Sequence, residues 1–295
     1  MNKQLSVTMI RIMGLFCVLV VVGMMTGCSK PEGDKEYQYK FPAWTPDGKI
    51  VAVRRTIVTY PDGGGFGGGG YGGYEEYHLV KFNDDGSGEQ TIKEVGYDAG
   101  YISVSTSSNY IGYAVNNYIK VIDWSGNQVD SIPTGVDGDA QHFDWSPDER
   151  KVVYYDNNVI TVENLDSSTK NVIAGLSTYP SWKYSNQIVF RNTPERYLAI
   201  SDEAGNIITK NITLSGRYDI QFLPNDPNKV VYFDNENNIY YYNLNTEQIS
   251  VIDIGLANAH RIITIKFDGQ KIVYDVDDKH ILVTNIDGTN KRQIK

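Results

Sequence analysis

The chain is short of cysteine, of positive charge and of long apolar runs, and each shortage excludes something. There are two cysteines in 295 residues, Cys17 and Cys28. Cys17 lies inside an apolar N-terminal run, so if that run is removed one thiol remains and no intrachain disulfide can form. Lys and Arg number 27 against 36 Asp and Glu, a net charge of -9. Met1–Gly27 carry Lys3 and Arg11 and no acid; without them, 268 residues remain with 25 bases, 36 acids and a net charge of -11. A surface this acidic argues against nucleic acid, whose affinity comes largely from cations that neutralise phosphates. The apolar run Ile12–Met25 has 14 residues, where a membrane-spanning helix needs about 20. Helix-forming segments are scarce too. With 22 Tyr the composition reads as all-β.

What the sequence does have is a repeat. Gln141–Tyr155, QHFDWSPDERKVVYY, places an apolar anchor before a polar turn and a short run of Val and Tyr. Looser copies begin at Phe41, Tyr101, Tyr179, Ile220 and Ile263. Their anchors are Trp44, Val104, Trp145, Trp182, Phe222 and Ile265, separated by 60, 41, 37, 40 and 43 residues. A period of about 40 residues made only of strands is the signature of propeller blades. In the third copy the spacing predicts strands over His142–Trp145, Lys151–Tyr155, Val159–Asn164 and Asn171–Leu176, with turn residues between them. The second strands (IVAV, YIGYAV, KVVYY, QIVF, KVVYF, KIVYDV) are nearly continuous apolar runs. That suits sheets covered on both faces, as blades are by their neighbours. The expectation is six four-stranded antiparallel blades over residues 41–295, with a last strand near Lys291–Lys295 and Glu36–Lys40 pairing beside it to close the ring.

The turns after two anchors, Thr45-Pro46-Asp47-Gly48 and Ser146-Pro147-Asp148, use Pro to preset φ, and in the first Gly stands at the last turn position. Together with the following KIVAV and KVVYY they resemble the repeats of the TolB-like six-bladed β-propeller family. The resemblance covers Phe41–Lys295; the other four copies lack the Pro-Asp pair. It implies the fold and carries over no catalytic residue.

Lys3 and Arg11 precede the 14-residue run, which ends in Met25-Thr26-Gly27-Cys28. A core of about 7–15 apolar residues after positive charge reads as an export signal. The final four residues resemble a bacterial lipobox, with Met where Leu is usual. On that resemblance, residues 1–27 are a signal peptide and Cys28 is acylated to hold the protein on a membrane. Ser29 after the Cys favours an outer membrane, facing the periplasm, in a host with two membranes. An uncleaved anchor and an ordinary signal peptide are the other readings. Residues 28–40 read as the lipidated Cys and a short polar tether.

Candidate chemistry is sparse. Peptidases with similar propellers carry a G-x-S-x-G elbow on a following domain, and this sequence has none. His78, His142, His260 and His280 are scattered without metal-ligand spacing, although a site assembled across a channel would escape that test. Asp275-Val276-Asp277-Asp278 lacks the Gly and distal Glu of a calcium loop and reads as a solvated turn. No cofactor is expected. Pro61–Glu76, with nine glycines and with Phe66, Tyr71 and Tyr74, is a flexible insertion between two strands of the first blade. It is either a tolerated insertion or an arm that contacts a partner.

Alternation along the first strands places Ala43, Ser103, Asp144, Ser181, Gln221 and Thr264 toward a central channel. Two residues earlier, Phe41, Tyr101, His142, Tyr179, Asp219 and Ile262 would ring its mouth. The candidate ligand-binding residues are thus Tyr101, His142, Asp144, Tyr179 and Asp219, the alternative being ordinary packing around a narrow channel. Two functions fit. One is a non-catalytic binding or scaffold lipoprotein of the cell envelope with a protein, peptide or glycan partner. The other is a metal-dependent periplasmic lyase or lactonase with its site in the channel.

Overall fold

The computed structural model describes residues 33–60, 73–107, 109–135, 142–182, 184–193, 195–214, 220–224, 226–233, 239–252, 262–277 and 279–295. Cys17, Cys28, Phe66, Tyr71, Asp219, His260 and Asp278 lie outside the described residues, as do the proposed signal peptide and the lipobox. The chain divides into two compact units, Met1–Glu36 with Ile57–Tyr74, and Tyr37–Thr56 with Glu75–Lys295. In the first, Tyr60 and Tyr74 lie with ring centroids 6.3 Å apart. The second holds blades two to six and most of blade one.

All the described secondary structure is β, in six sheets of four antiparallel strands each. Blade one is β1–β4 (Asp34–Trp44, Ile50–Thr59, Gly73–Phe82, Gln90–Val95). Blade two is β5–β8 (Ile102–Val104, Ile111–Val115, Tyr118–Ile122, Gln128–Pro133). Blade three is β9–β12 (Phe143–Trp145, Lys151–Asp156, Val159–Asn164, Lys170–Gly175) and blade four β13–β16 (Ser177–Ser181, Ile188–Asn192, Tyr197–Ser201, Ile207–Thr213). Blade five is β17–β20 (Gln221–Leu223, Asp226–Phe233, Ile239–Asn243, Ile249–Ile252) and blade six β21–β24 (Ile262–Phe267, Lys271–Val276, His280–Asn285, Arg292–Gln293).

Among the described residues six hydrophobic clusters, one between each pair of neighbouring blades, bind the sheets into a ring. Ile102 and Val104 meet Val51 and Leu79 between blades one and two. Phe143 and Trp145 meet Ala114 and Val121 between two and three. The remaining clusters join three to four, four to five and five to six. Blade six then meets blade one, where Val273, Ile281 and Val283 pack on Tyr39, Trp44, Ala52 and Phe82. This is why the second strands are apolar on both faces: Ile111–Val115 is buried at every residue.

The ring closes by face packing and not by strand exchange. Residues 36–40, expected beside the last strand, belong to β1 and to blade one's own sheet. Their backbone contact with blade six is a bond from Tyr39 N to Lys279 O, 3.0 Å. Asp34–Lys40 is therefore strand, where composition alone reads tether; Gln38 and Tyr39 are buried in it. Gly73–Glu76, read as insertion, likewise opens β3.

A second repeat runs through the turns between third and fourth strands. Asn83, Asp123, Asn164, Asp202, Asn243 and Asn285 stand there at spacings of 38–42 residues. Oδ1 of Asp123 accepts Ser125 N and Asn127 N, and Oδ1 of Asp202 accepts Ala204 N and Asn206 N. Asn164 and Asn243 do the same for the two amides that lie two and three residues further on. A short polar side chain that replaces backbone partners in a turn explains the residue type.

Candidate functional site: the channel and its mouth

The inner strands place one short or polar residue per blade toward the axis. Ala43, Ser103, Asp144, Gln221 and Lys266, with Tyr184 beside them, line a cavity of about 20 Å³. That is room for about one water molecule. Asp144 knits three blades together. Its Oδ1 accepts Ser103 Oγ of blade two at 3.0 Å, and its Oδ2 accepts Ser181 Oγ and Trp182 N of blade four at 3.1 and 3.0 Å. The flanking anchors repeat one bond. Trp145 Nε1 donates to Ser103 O and Trp44 Nε1 to Lys266 O, each 3.2 Å, in the preceding blade. Gln221 Oε1 and Trp182 Nε1 are buried and have no hydrogen-bond partner among the described residues.

Lys266 corrects the sequence register. The strand pairing sets Lys266 opposite Val273 and Phe267 opposite Ile272, matching Asp144 opposite Val153 and Trp145 opposite Val152. In register with Trp145 stands Phe267, not Ile265, and Lys266, not Thr264, occupies the channel row. The reason is a tighter turn: Asp268 Oδ1 accepts Gln270 N and Lys271 N, and Gly269 adopts φ 98°, so the hairpin closes in three residues. A shift of two preserves alternation, so the pattern of apolar and polar residues carries no sign of it.

Three rings run in series, joined to the channel row through Lys266. Tyr101 and His142 have centroids 4.7 Å apart, and His142 and Tyr179 are 4.5 Å apart, edge to face. Cations stand at both ends of the series. Lys266 Nζ lies 4.1 Å from the Tyr101 ring centroid and donates to its hydroxyl, and the Arg191 guanidinium lies 5.1 Å from that of Tyr179. Tyr179 is held at φ 60° next to a bulge between Thr178 and Ser181. The left-handed region is rare for a bulky residue, and bulges commonly re-aim a side chain.

The five candidate residues therefore separate. Tyr101 and Asp144 are 5 and 7% exposed, His142 and Tyr179 are half-buried, and Asp219 lies outside the described residues. Phe41, from the same sequence row, is core between blades one and two. Ile262 and Thr264 lie on β21. Sequence reasoning missed Lys266, Arg191 and Tyr184. Burial, then the charges of Asp144 and Asp268, push the Tyr184 hydroxyl far above the usual tyrosine range, so it stays a neutral donor.

Asp275, read from sequence as part of a solvated turn, is instead fully buried in β22, and its Oδ2 accepts Phe41 N at 2.9 Å across the blade six–blade one seam. Among the described residues no group of three His, Cys, Asp or Glu is placed to hold a metal, and no helix is long and apolar enough to cross a membrane.

The fold is a six-bladed β-propeller, and it is similar to that of TolB structures. Similar solved structures include TolB from Agrobacterium tumefaciens, at 13% identity and TM-score 0.60, covering 72% of this chain and 86% of that one. TolB from Acinetobacter baumannii is similar at 13% identity and TM-score 0.50, over 80% of this chain and 68% of that one. A chain of a mitotic checkpoint complex is similar at 10% identity and TM-score 0.53, over 83 and 89%. No family model matches the chain, and no curated protein sequence matches it.

Proposed function

We propose that this chain is a non-catalytic binding or scaffold propeller of the cell envelope, held on a membrane by acyl chains on Cys28, and that a protein, peptide or glycan partner docks at the channel mouth. The observation that carries this reading is the contrast between mouth and interior. A cavity of about 20 Å³ is far below the roughly 300–1,000 Å³ of small-molecule sites. Within the channel, recognition therefore belongs at the mouth, where His142, Tyr179, Arg191 and Lys266 present rings and cations. Several similar propellers support the same class: two are TolB structures and one belongs to a checkpoint complex.

The test uses the membrane-bound protein with its partner captured by crosslinking and identified by mass spectrometry. Tyr179→Ala and His142→Ala are expected to weaken binding of that partner at least about tenfold, the size of a moderate interface hot spot, with unchanged thermal unfolding. Wild-type affinity in both variants would make the mouth ordinary packing. Cys28→Ser is expected to abolish acyl labelling and to leave the precursor uncleaved at that site; persistent labelling would remove the anchor from the proposal.

A further inference from the structure

Blade six carries the shortest outer strand of the ring, Arg292–Gln293, paired with β23 only at Leu282 and Val283. The two residues after that strand, Ile294 and Lys295, are nevertheless pinned. Ile294 N donates to Ile281 O at 2.9 Å, and Ile281 N to Lys295 O at 3.2 Å. Ile294 packs against the cluster that joins blades six and one. Gly86 of blade one, at φ 84°, lies so close that a Cβ there would meet Ile294 O at 2.3 Å.

Side chains complete the hold. Glu89, on blade one, accepts Tyr39 Oη of β1 at 2.9 Å and Arg54 Nη1 of β2 at 2.5 Å, and pairs with Lys295 Nζ at 2.7 Å. All three charged groups are more than four-fifths buried. Lys295 Nζ also lies 5.4 and 5.2 Å from the ring centroids of Tyr39 and Phe82. Beside this group, Asp84 takes Lys271 of β22 and Arg292. His280 of β23 is exposed and meets Gln293, not Glu89.

We infer that Arg292–Lys295 is a releasable latch across the blade six–blade one seam, locked by ionised Glu89 and loosened when that carboxylate is protonated. Glu89 gathers cations from both blades at a largely dry site. Protonation removes its attraction for Arg54 and Lys295 together and leaves two like charges facing each other. The Asp84 pairs are more open to water, and screening makes such pairs weak. Burial by itself would raise the Glu89 pKa; the bonds from Lys295, Tyr39 and Arg54 outweigh it and hold it below the usual glutamate range. A depressed carboxylate stabilises fully above its ordinary pKa of about 4.3, and that contribution is lost as pH falls through the lower folded value. The latch therefore opens on the acid side of about pH 4.

Amide hydrogen exchange on the whole protein tests this, read as protection factors so that the intrinsic pH dependence cancels. At pH 7, Ile294 and Ile281 are expected to lose at least about tenfold protection in Glu89→Gln, while Tyr155, bonded to His142 O within blade three, is unchanged. As pH is stepped down from the ordinary carboxylate pKa of about 4.3, wild-type protection at Ile294 falls toward the variant's, and the variant's moves little. Lys295→Gln, which leaves Glu89 its Arg54 and Tyr39, gives the same local loss at pH 7 and decides the matter if Glu89→Gln does not fold. Equal protection in wild type and Lys295→Gln at pH 7, or an acid loss in Glu89→Gln as large as in wild type, would overturn the latch.

Discussion

Two tyrosines at equivalent places show how local partners decide the value of a buried hydroxyl. Tyr154 in blade three donates to Glu163 Oε2 at 3.0 Å and receives Lys170 Nζ at 2.9 Å. Tyr274 stands at the same register in blade six, fully buried, and its hydroxyl has no hydrogen-bond partner among the described residues. Burial pushes the pKa of both upward, so both are neutral. The difference is chemical: diagonal to Tyr154, opposite Val152, β11 supplies Glu163, whereas the equivalent place in β23, opposite Ile272, supplies Thr284, which bonds to Thr289 O. Tyr154→Phe is expected to cost about 1–2 kcal/mol, since it strips a donor from buried Glu163. Tyr274→Phe should fall within about 0.5 kcal/mol of wild type or exceed it, because an unpaired buried hydroxyl is removed. Urea unfolding of the two variants measures both; equal losses would contradict the account.

At the scale of the strand, close approach of blades depends on a few positions. Gly112 in β6 faces Phe143 and Trp145 of the next blade, and a Cβ there would meet Phe143 Cε2 at 2.6 Å. Gly112→Ala is expected to cost about 1–3 kcal/mol through overpacking, measurable as a lower urea midpoint; an unchanged midpoint would mean the blades yield. Asp144→Ala should cost roughly 2–4 kcal/mol, because it leaves Trp182 N buried without its acceptor and unties three inner strands. Wild-type stability in that variant would show that Asp144 is not the inner-ring tie. The strands themselves are legible in the sequence because apolar runs bounded by Pro, Asp, Asn and Gly leave few alternatives, as at Lys151–Tyr155. The channel row is legible in four blades from alternation and in blade four from Ser181. It fails in blade six, where a shorter turn shifts the register by two, so that Phe267 and not Ile265 aligns with Trp145. Arg191 is illegible in principle, since it comes from a second strand and reaches the mouth only through the fold. The Asx at the third-to-fourth turn is regular in spacing, but a single small polar residue stands out less than a bulky anchor in a chain rich in Asn and Asp.

For the whole molecule, the acidic composition predicts a direction of pH sensitivity. Bonds from Asn127, Asn206 and Thr289 hold Asp123, Asp202 and Asp287 below the usual aspartate range, and the bond from Ser146 does so for Asp148. Each depressed carboxylate binds its proton less readily folded than unfolded. Stability is therefore full above about pH 4–5 and falls as pH drops through the folded values. Thermal unfolding from pH 7 to about pH 3 should show a falling midpoint on the acid side; a midpoint that rises there would contradict the turn assignments.

Partner recognition is proposed at the mouth around His142 and Tyr179 and not along the outer strands, where Val172 and Val251 are 60 and 64% exposed. The most direct measurement is site-specific photocrosslinking in living cells, with the photoreactive residue at Tyr179, at Val172 or at Val251. The account predicts a discrete adduct from position 179 that disappears with His142→Ala, and none from the other two. An adduct from Val172 or Val251 with a silent Tyr179 would contradict it.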